Sequence, residues 1–196
     1  MIFKLLGGSL LLAVVAVGAV FLLAKQQPDV AAGLKPVAPS TQAAQSFDAK
    51  LNALQVARDV ARRTGTGQAV EVTFTEQELT SKASQVTGPI GDTGIAATDT
   101  QVHLAGGNVV ATSTLTVQGI SVNVGVVATP TVVNGRMQLV VTDVQTGSLP
   151  LPDAIKKQIS AAVGQAIDPS TLGLPFNISD LTIIDGKIVL KGTAKP

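Results

Sequence analysis

"ISVNVGVVATPTVVNGRMQLVVTDVQT", residues 120–146, is the stretch whose reading decides the fold. Ile120, Val122, Val124, Val126 and Ala128 share one face, while Ser121, Asn123, Gly125, Val127 and Thr129 share the other, the alternation of a strand with one buried side. The run to Val133 covers ~14 residues, against the usual five or six for a strand. Asn134-Gly135 then favours a type I′ turn, which needs positive φ at both central residues, so 136–146 returns as the partner. Long strands with one apolar face twist and curl, and something must fill the concave side.

The same signals extend on both sides. Upstream, Val102 and Leu104 alternate with Gln101 and His103, "AGGN" (105–108) turns the chain, and 109–118 reads as a strand. Before these, Val70, Val72 and Phe74 alternate in a strand over Ala69–Phe74. Thr75-Glu76-Gln77-Glu78 fits a capping box opening a short helix with Leu79, Ala83 and Val86 inward, and "TGPIGDTG" (87–94) breaks it. Phe47, Leu51, Leu54, Ala57 and Val60 recur at three and four, so a helix is expected over 47–63 with Ser46 as its cap. Arg62, Arg63 and the glycines at 65 and 67 mark its end. Downstream, Pro150 and Pro152 stop the long hairpin. A second amphipathic helix follows, its stripe made by Ile155, Ile159, Val163 and Ile167, joined by Ala162 and Ala166. A hairpin across Asp185-Gly186 pairs 177–184 with 187–193. The expected fold is α+β: a long, twisted antiparallel sheet curled around one or two helices.

Composition narrows the function. The chain has 196 residues, a net charge of +1 and no Cys, Trp or Tyr. Disulfides and thiol chemistry are excluded, and a single-strand nucleic-acid surface would need the aromatic stacking platform that is missing. Residues 5–24, "LLGGSLLLAVVAVGAVFLLA", carry no charge and lie between Lys4 and Lys25. Twenty residues at helical rise span about 30 Å, the thickness of a bilayer core. Length and flanks favour a retained anchor over a cleaved signal, whose apolar region is shorter at roughly 7–15 residues. The reading is therefore a single transmembrane helix over 1–24, a Pro/Ala/Gln-rich tether over 25–45, and an extracytoplasmic α+β domain over 46–196.

Chemistry is sparse. His103 is the only histidine, with no positioned nucleophile or carboxylate in sequence, and is expected to face solvent on its strand. One His and no Cys exclude the usual zinc sets, and the Asp residues show no EF-hand spacing. The glycines of 87–94 lack a strand-to-helix phosphate motif. No metal, cofactor or catalytic set is expected. Two basic clusters, Arg58/Arg62/Arg63 and Lys156/Lys157, fit either solvated helix faces or contacts with lipid headgroups.

"VEVTFTEQELTSKAS" (70–84), "VVNGRMQLVVTDVQTGSLPLPDAI" (132–155) and "LTIIDGKIVLKG" (181–192), in this order behind an apolar N-terminus, resemble the bacterial YpmS-like family. The pattern is similar also to LmeA-type cell-envelope proteins and, more remotely, to tubular lipid-binding (TULIP-like) folds. The resemblance implies a sheet rolled around a long helix with acyl chains held between them. Its expected ligand is a membrane lipid, in a groove lined by Ile120, Val122, Val124, Val126, Leu139, Val141, Ile155, Ile159, Ala162 and Val163. The alternative is an envelope scaffold with a filled core, holding a protein partner on a sheet edge or Thr-rich face. A continuous apolar groove would favour the first, a filled core the second.

Overall fold

The computed structural model describes residues 28–85, 88–89, 96–117, 119–147, 174–184 and 186–195. Among the described residues two α-helices, α1 (Thr41–Thr64) and α2 (Glu76–Ala83), accompany eight strands: β1 (Gln68–Thr75), β2 (Gly88–Pro89), β3 (Ala96–Ala105), β4 (Asn108–Val117), β5 (Ile120–Val133), β6 (Arg136–Thr146), β7 (Asn177–Ile184) and β8 (Lys187–Ala194). They form two antiparallel sheets, in the orders β1-β8-β7 and β2-β3-β4-β5-β6. The α+β class and the long antiparallel strands agree with the sequence reading. Among the described residues no helix is long and apolar enough to cross a membrane, and the expected anchor over 1–24 lies outside them.

The β5–β6 hairpin turns as its sequence requires. Asn134 and Gly135 both have positive φ, 52° and 75°, as a type I′ turn demands. The capping box is also present: the Thr75 hydroxyl accepts from the Glu78 N–H at 3.2 Å, and the Glu78 carboxylate accepts from the Thr75 N–H at 2.9 Å.

Helix α1 starts six residues before its expected first turn. Its cap is Ser40, whose hydroxyl accepts from the Ala43 N–H at 3.1 Å, and not Ser46. Pro39 keeps the preceding backbone out of the helix, while the Thr-Gln-Ala-Ala-Gln run after Ser40 contains good helix formers. Residues 41–45, read from sequence as tether, therefore belong to the helix. The segment before it is not a free tether either. It crosses the outer face of the five-stranded sheet along one register row, Gln145–Gly125–Thr112–Gln101. At one end the Gln145 side-chain oxygen accepts from the Val30 N–H at 3.0 Å; at the other, Gln101 accepts from the Val37 N–H at 3.2 Å. Gly125 leaves the space that Pro28 and Val30 occupy, and a Cβ there would collide with both.

This belt corrects the expectation for His103. It is 4% exposed, not solvent-facing. Leu34 and Pro36 of the belt share with it a small cavity of about 200 Å³ on the sheet's outer face.

The sheets are joined through α2. Among the described residues β3 pairs with β4 on one side, but on the other only Ala96 and Ala97 meet β2. Beyond them, helix side chains replace a strand. The Thr80 hydroxyl accepts from the Val102 N–H at 2.9 Å and donates to the Val102 carbonyl at 3.1 Å, and Glu76 accepts from the Leu104 N–H at 2.6 Å. The match is geometric: four helical residues rise about 6 Å, nearly the advance of two strand residues. β1 leads straight into α2, so the seal places the three-stranded sheet opposite the five-stranded one. At the other end the Ile178 N–H donates to the Gly135 carbonyl at 2.8 Å. A buried core of Leu54, Ala61, Val72, Phe74, Leu104, Phe176, Ile178, Ile188, Leu190 and Ala194 lies beneath α1.

Thr80 is fully buried, so Thr80→Val keeps the shape and strands both Val102 groups. A loss of about 1–3 kcal/mol is expected in urea melts for Thr80→Val, while Thr80→Ser, which keeps the hydroxyl, should lose much less. An unchanged midpoint for Thr80→Val would show that α2 does not seal this edge.

Candidate lipid-binding groove

Alternation puts two apolar rows on the inner face of the five-stranded sheet. Val102, Ala111 and Val126 form one, and Leu104, Val109 and Ala128 the next, each aligned across β3, β4 and β5. Met137 and Leu139 of β6 extend the surface. Facing them are Phe47 and Leu51 of α1, Leu79 and Ala83 of α2, Phe74, Ile188 and Leu190 of the other sheet, and Leu174-Pro175. Between these walls lies a cavity of about 550 Å³. That volume falls in the range of about 300–1,000 Å³ typical of small-molecule sites. Every described lining residue is apolar except Gln55 and Lys82. The small side chains of Ala111 and Ala128 leave space between the sheet and the facing walls.

The helix walls are set by an ionic clamp. Glu78, 5% exposed, accepts from the Ser46 hydroxyl at 2.5 Å and from Lys50 Nζ at 2.8 Å, which joins α1 to α2. Lys50 also donates to the Thr73 carbonyl at 2.6 Å and lies 5.8 Å from the centre of the Phe74 ring. Burial pushes the Glu78 carboxyl up, but hydrogen bonds from Lys50, Ser46 and the Thr75 N–H, with the Lys50 charge, outweigh it. The carboxyl lies below the ordinary carboxylate range. Phe47 and Phe74 are stacked at a tilt behind the clamp, ring centres 4.9 Å apart. Lys82, on the groove wall, pairs with Asp48 at 2.8 Å, both partly exposed.

The residues singled out by sequence are placed as follows. Val126 and Leu139 line the cavity. Val122 and Val124 lie on the same face of β5, 2% exposed each, outside its described lining. Val141 pairs with Ala128 and continues the second row to the sheet's edge, where it is 37% exposed. Ile120 opens β5 opposite Val117. Ile155, Ile159, Ala162 and Val163 lie outside the described residues, as do Lys156 and Lys157. Arg58 follows Gln55 by one turn of α1, and its buried Nε has no hydrogen-bond partner among the described residues. Arg62 and Arg63 are exposed in the last turn, where cations suit the helix dipole.

The family model described as LmeA-like phospholipid-binding matches residues 20–193. The chain belongs to the LmeA-like family. Lipid is thereby the partner class. The match leaves the YpmS-like likeness at the level of motif order. No curated protein matches the chain.

Sequence reasoning missed most of the LmeA-like chain's described groove. Phe47 and Leu51 were visible as a helix stripe, and Val109 and Ala111 as one side of a strand. Their convergence depends on α2 turning the corner between the sheets, which no periodicity encodes.

The clamp has a pH signature. A carboxyl whose folded value is lowered stabilises the fold fully above its unfolded value of about 4.3, and that share is lost as pH falls through the folded value. Stability should therefore drop in acid below the ordinary carboxylate range. Glu78→Gln should be about 1–3 kcal/mol less stable at neutral pH and show a shallower acid loss. Equal acid slopes for the two proteins in urea titrations would remove Glu78 from this role.

Proposed function

We propose that the chain is a membrane-tethered, extracytoplasmic phospholipid-binding domain that holds acyl chain between its five-stranded sheet and α1, without catalysis. The observation that carries this reading is the apolar cavity between two helices and two sheets, in a chain of a phospholipid-binding family. Among the described residues the inner face of the sheet borders a cavity, which favours this reading over a scaffold with a filled core. The tether and the location rest on the uncharged run 5–24 and its lysine flanks.

The energetics suit a carrier. Each buried methylene contributes about 0.8 kcal/mol, so about ten contribute roughly 8 kcal/mol, set against about 4–15 kcal/mol for association. Gain and cost are of the same order, and a lipid so held exchanges with a bilayer. Lys82, the one charged residue among the described lining residues, is placed to meet the phosphate while Asp48 holds its ammonium in position. Arg58, whose Nε lies 4.0 Å from Asp59 and makes no hydrogen bond among the described residues, supplies a second donor for an anionic headgroup.

Ala111→Leu tests the groove. In open space the added atoms should change stability by no more than about 0.5 kcal/mol while reducing phospholipid capture in native mass spectrometry. In a packed core the same change would cost about 1–3 kcal/mol. Strong destabilisation with lipid capture unaffected would contradict the reading. Lys82→Gln should weaken capture of anionic phospholipid a few-fold and leave a zwitterionic one less affected; equal loss for both would remove Lys82 as the phosphate contact.

A further inference from the structure

We propose that the β6 edge of the sheet faces the bilayer and is the side by which acyl chain passes from the membrane into the groove. The inference deepens the function proposed above and rests on the anchor reading of residues 5–24.

The belt carries the argument. Its first described residue, Pro28, is packed over Gly125 of β5, and Val30 is bonded to Gln145 of β6, the last strand of its sheet. Gln145 is itself held: its side-chain NH₂ donates to Asp143 at 2.8 Å, which leaves the amide oxygen to accept from Val30. Only Lys25, Gln26 and Gln27 separate the apolar run from this fixed point. Four residue steps reach ~14 Å at most. A bilayer-spanning run ending at Ala24 therefore keeps the β5–β6 side of the sheet at the headgroups.

That edge is built for the contact. Exposed edge strands usually carry charges that block association, yet between Arg136 and Asp143 β6 carries none. Val140 and Val141 are 50% and 37% exposed, on opposite faces of the strand and ~13–17 Å along it from Gln145. On the inner side, Val141 continues the row Leu104–Val109–Ala128, and Leu139 lines the cavity. An acyl chain leaving the bilayer at this edge meets apolar surface from the strand's rim to the cavity, with no charged side chain on that stretch of β6.

The chain has no Cys, so single cysteines give unique labels. Val140→Cys would be compared with Ile184→Cys, which is 56% exposed on the other sheet. Ile184 lies near the start of α2, across the width of the five-stranded sheet from β6. The full chain would carry a fluorophore at either position in liposomes of phosphatidylcholine and phosphatidylglycerol containing a headgroup quencher. Severalfold stronger quenching at position 140 than at 184 is expected. Inserting about twenty Gly/Ser residues between Gln27 and Pro28, a coil with a reach of about 25 Å, should abolish the difference. It should also slow transfer of a fluorescent phospholipid from the host bilayer, while capture of a soluble short-chain fluorescent fatty acid is unchanged. Equal quenching at both positions in protein that resists carbonate extraction overturns the proposal alone. Release of the chain by carbonate overturns the anchor reading and the proposal together.

Discussion

The free edge of β3 is the constraint on which the rest of the structure depends. A five-stranded sheet with unpaired groups at Val102 and Leu104 would bind another strand or leave polar backbone buried. Thr80 and Glu76 satisfy those groups from a helix, and a helix cannot propagate a sheet. Apart from the short β2 pairing at Ala96–Ala97, strand order therefore stops at β3, and β1, which leads into α2, lies on a second sheet facing the first. Everything that makes a groove follows from this corner: two inner faces opposed, with α1 laid along one side.

Such an enclosure need not be hollow. Among the described residues it leaves a cavity because the sheet rows place Ala where larger side chains would meet the opposite wall, at Ala111 and Ala128, while bulky core residues gather under α1. The division of labour is visible in the helix itself. Leu54 and Ala61 are buried in the core, whereas Phe47 and Leu51 border the cavity. The Glu78–Lys50–Ser46 clamp sits where α1 passes α2, so a charged cluster fixes the two helix walls against each other beside the cavity.

The local structure was legible in the sequence because its signals are local. The Asn134-Gly135 turn, the Thr75–Glu78 capping box and the alternation of β5 each need only neighbouring residues, and all are present in the fold. The misreadings were long-range. Residues 25–45 have no apolar period, and nothing near Pro28 announces that Gly125, far along the chain, is bare so that the belt can lie on it. His103 was misplaced for the same reason, since its strand face is polar in pattern and is buried only by the belt. Of the groove, sequence named Val126 and Leu139 on β5 and β6 but not the α1 and α2 residues opposite them. Facing strands and helices share no periodicity, so a wall can be read without its counterpart.

The central claim is that acyl chain occupies the space between α1 and the inner face of the five-stranded sheet. The most direct measurement is photocrosslinking with a phospholipid bearing a diazirine near the end of its acyl chain, followed by mapping of the modified residues by mass spectrometry. The account predicts adducts on the inward-facing side chains of β4, β5 and α1, such as Val109, Val126 and Leu51. Adducts confined to outward-facing positions, such as Val56 or Val133, would contradict it.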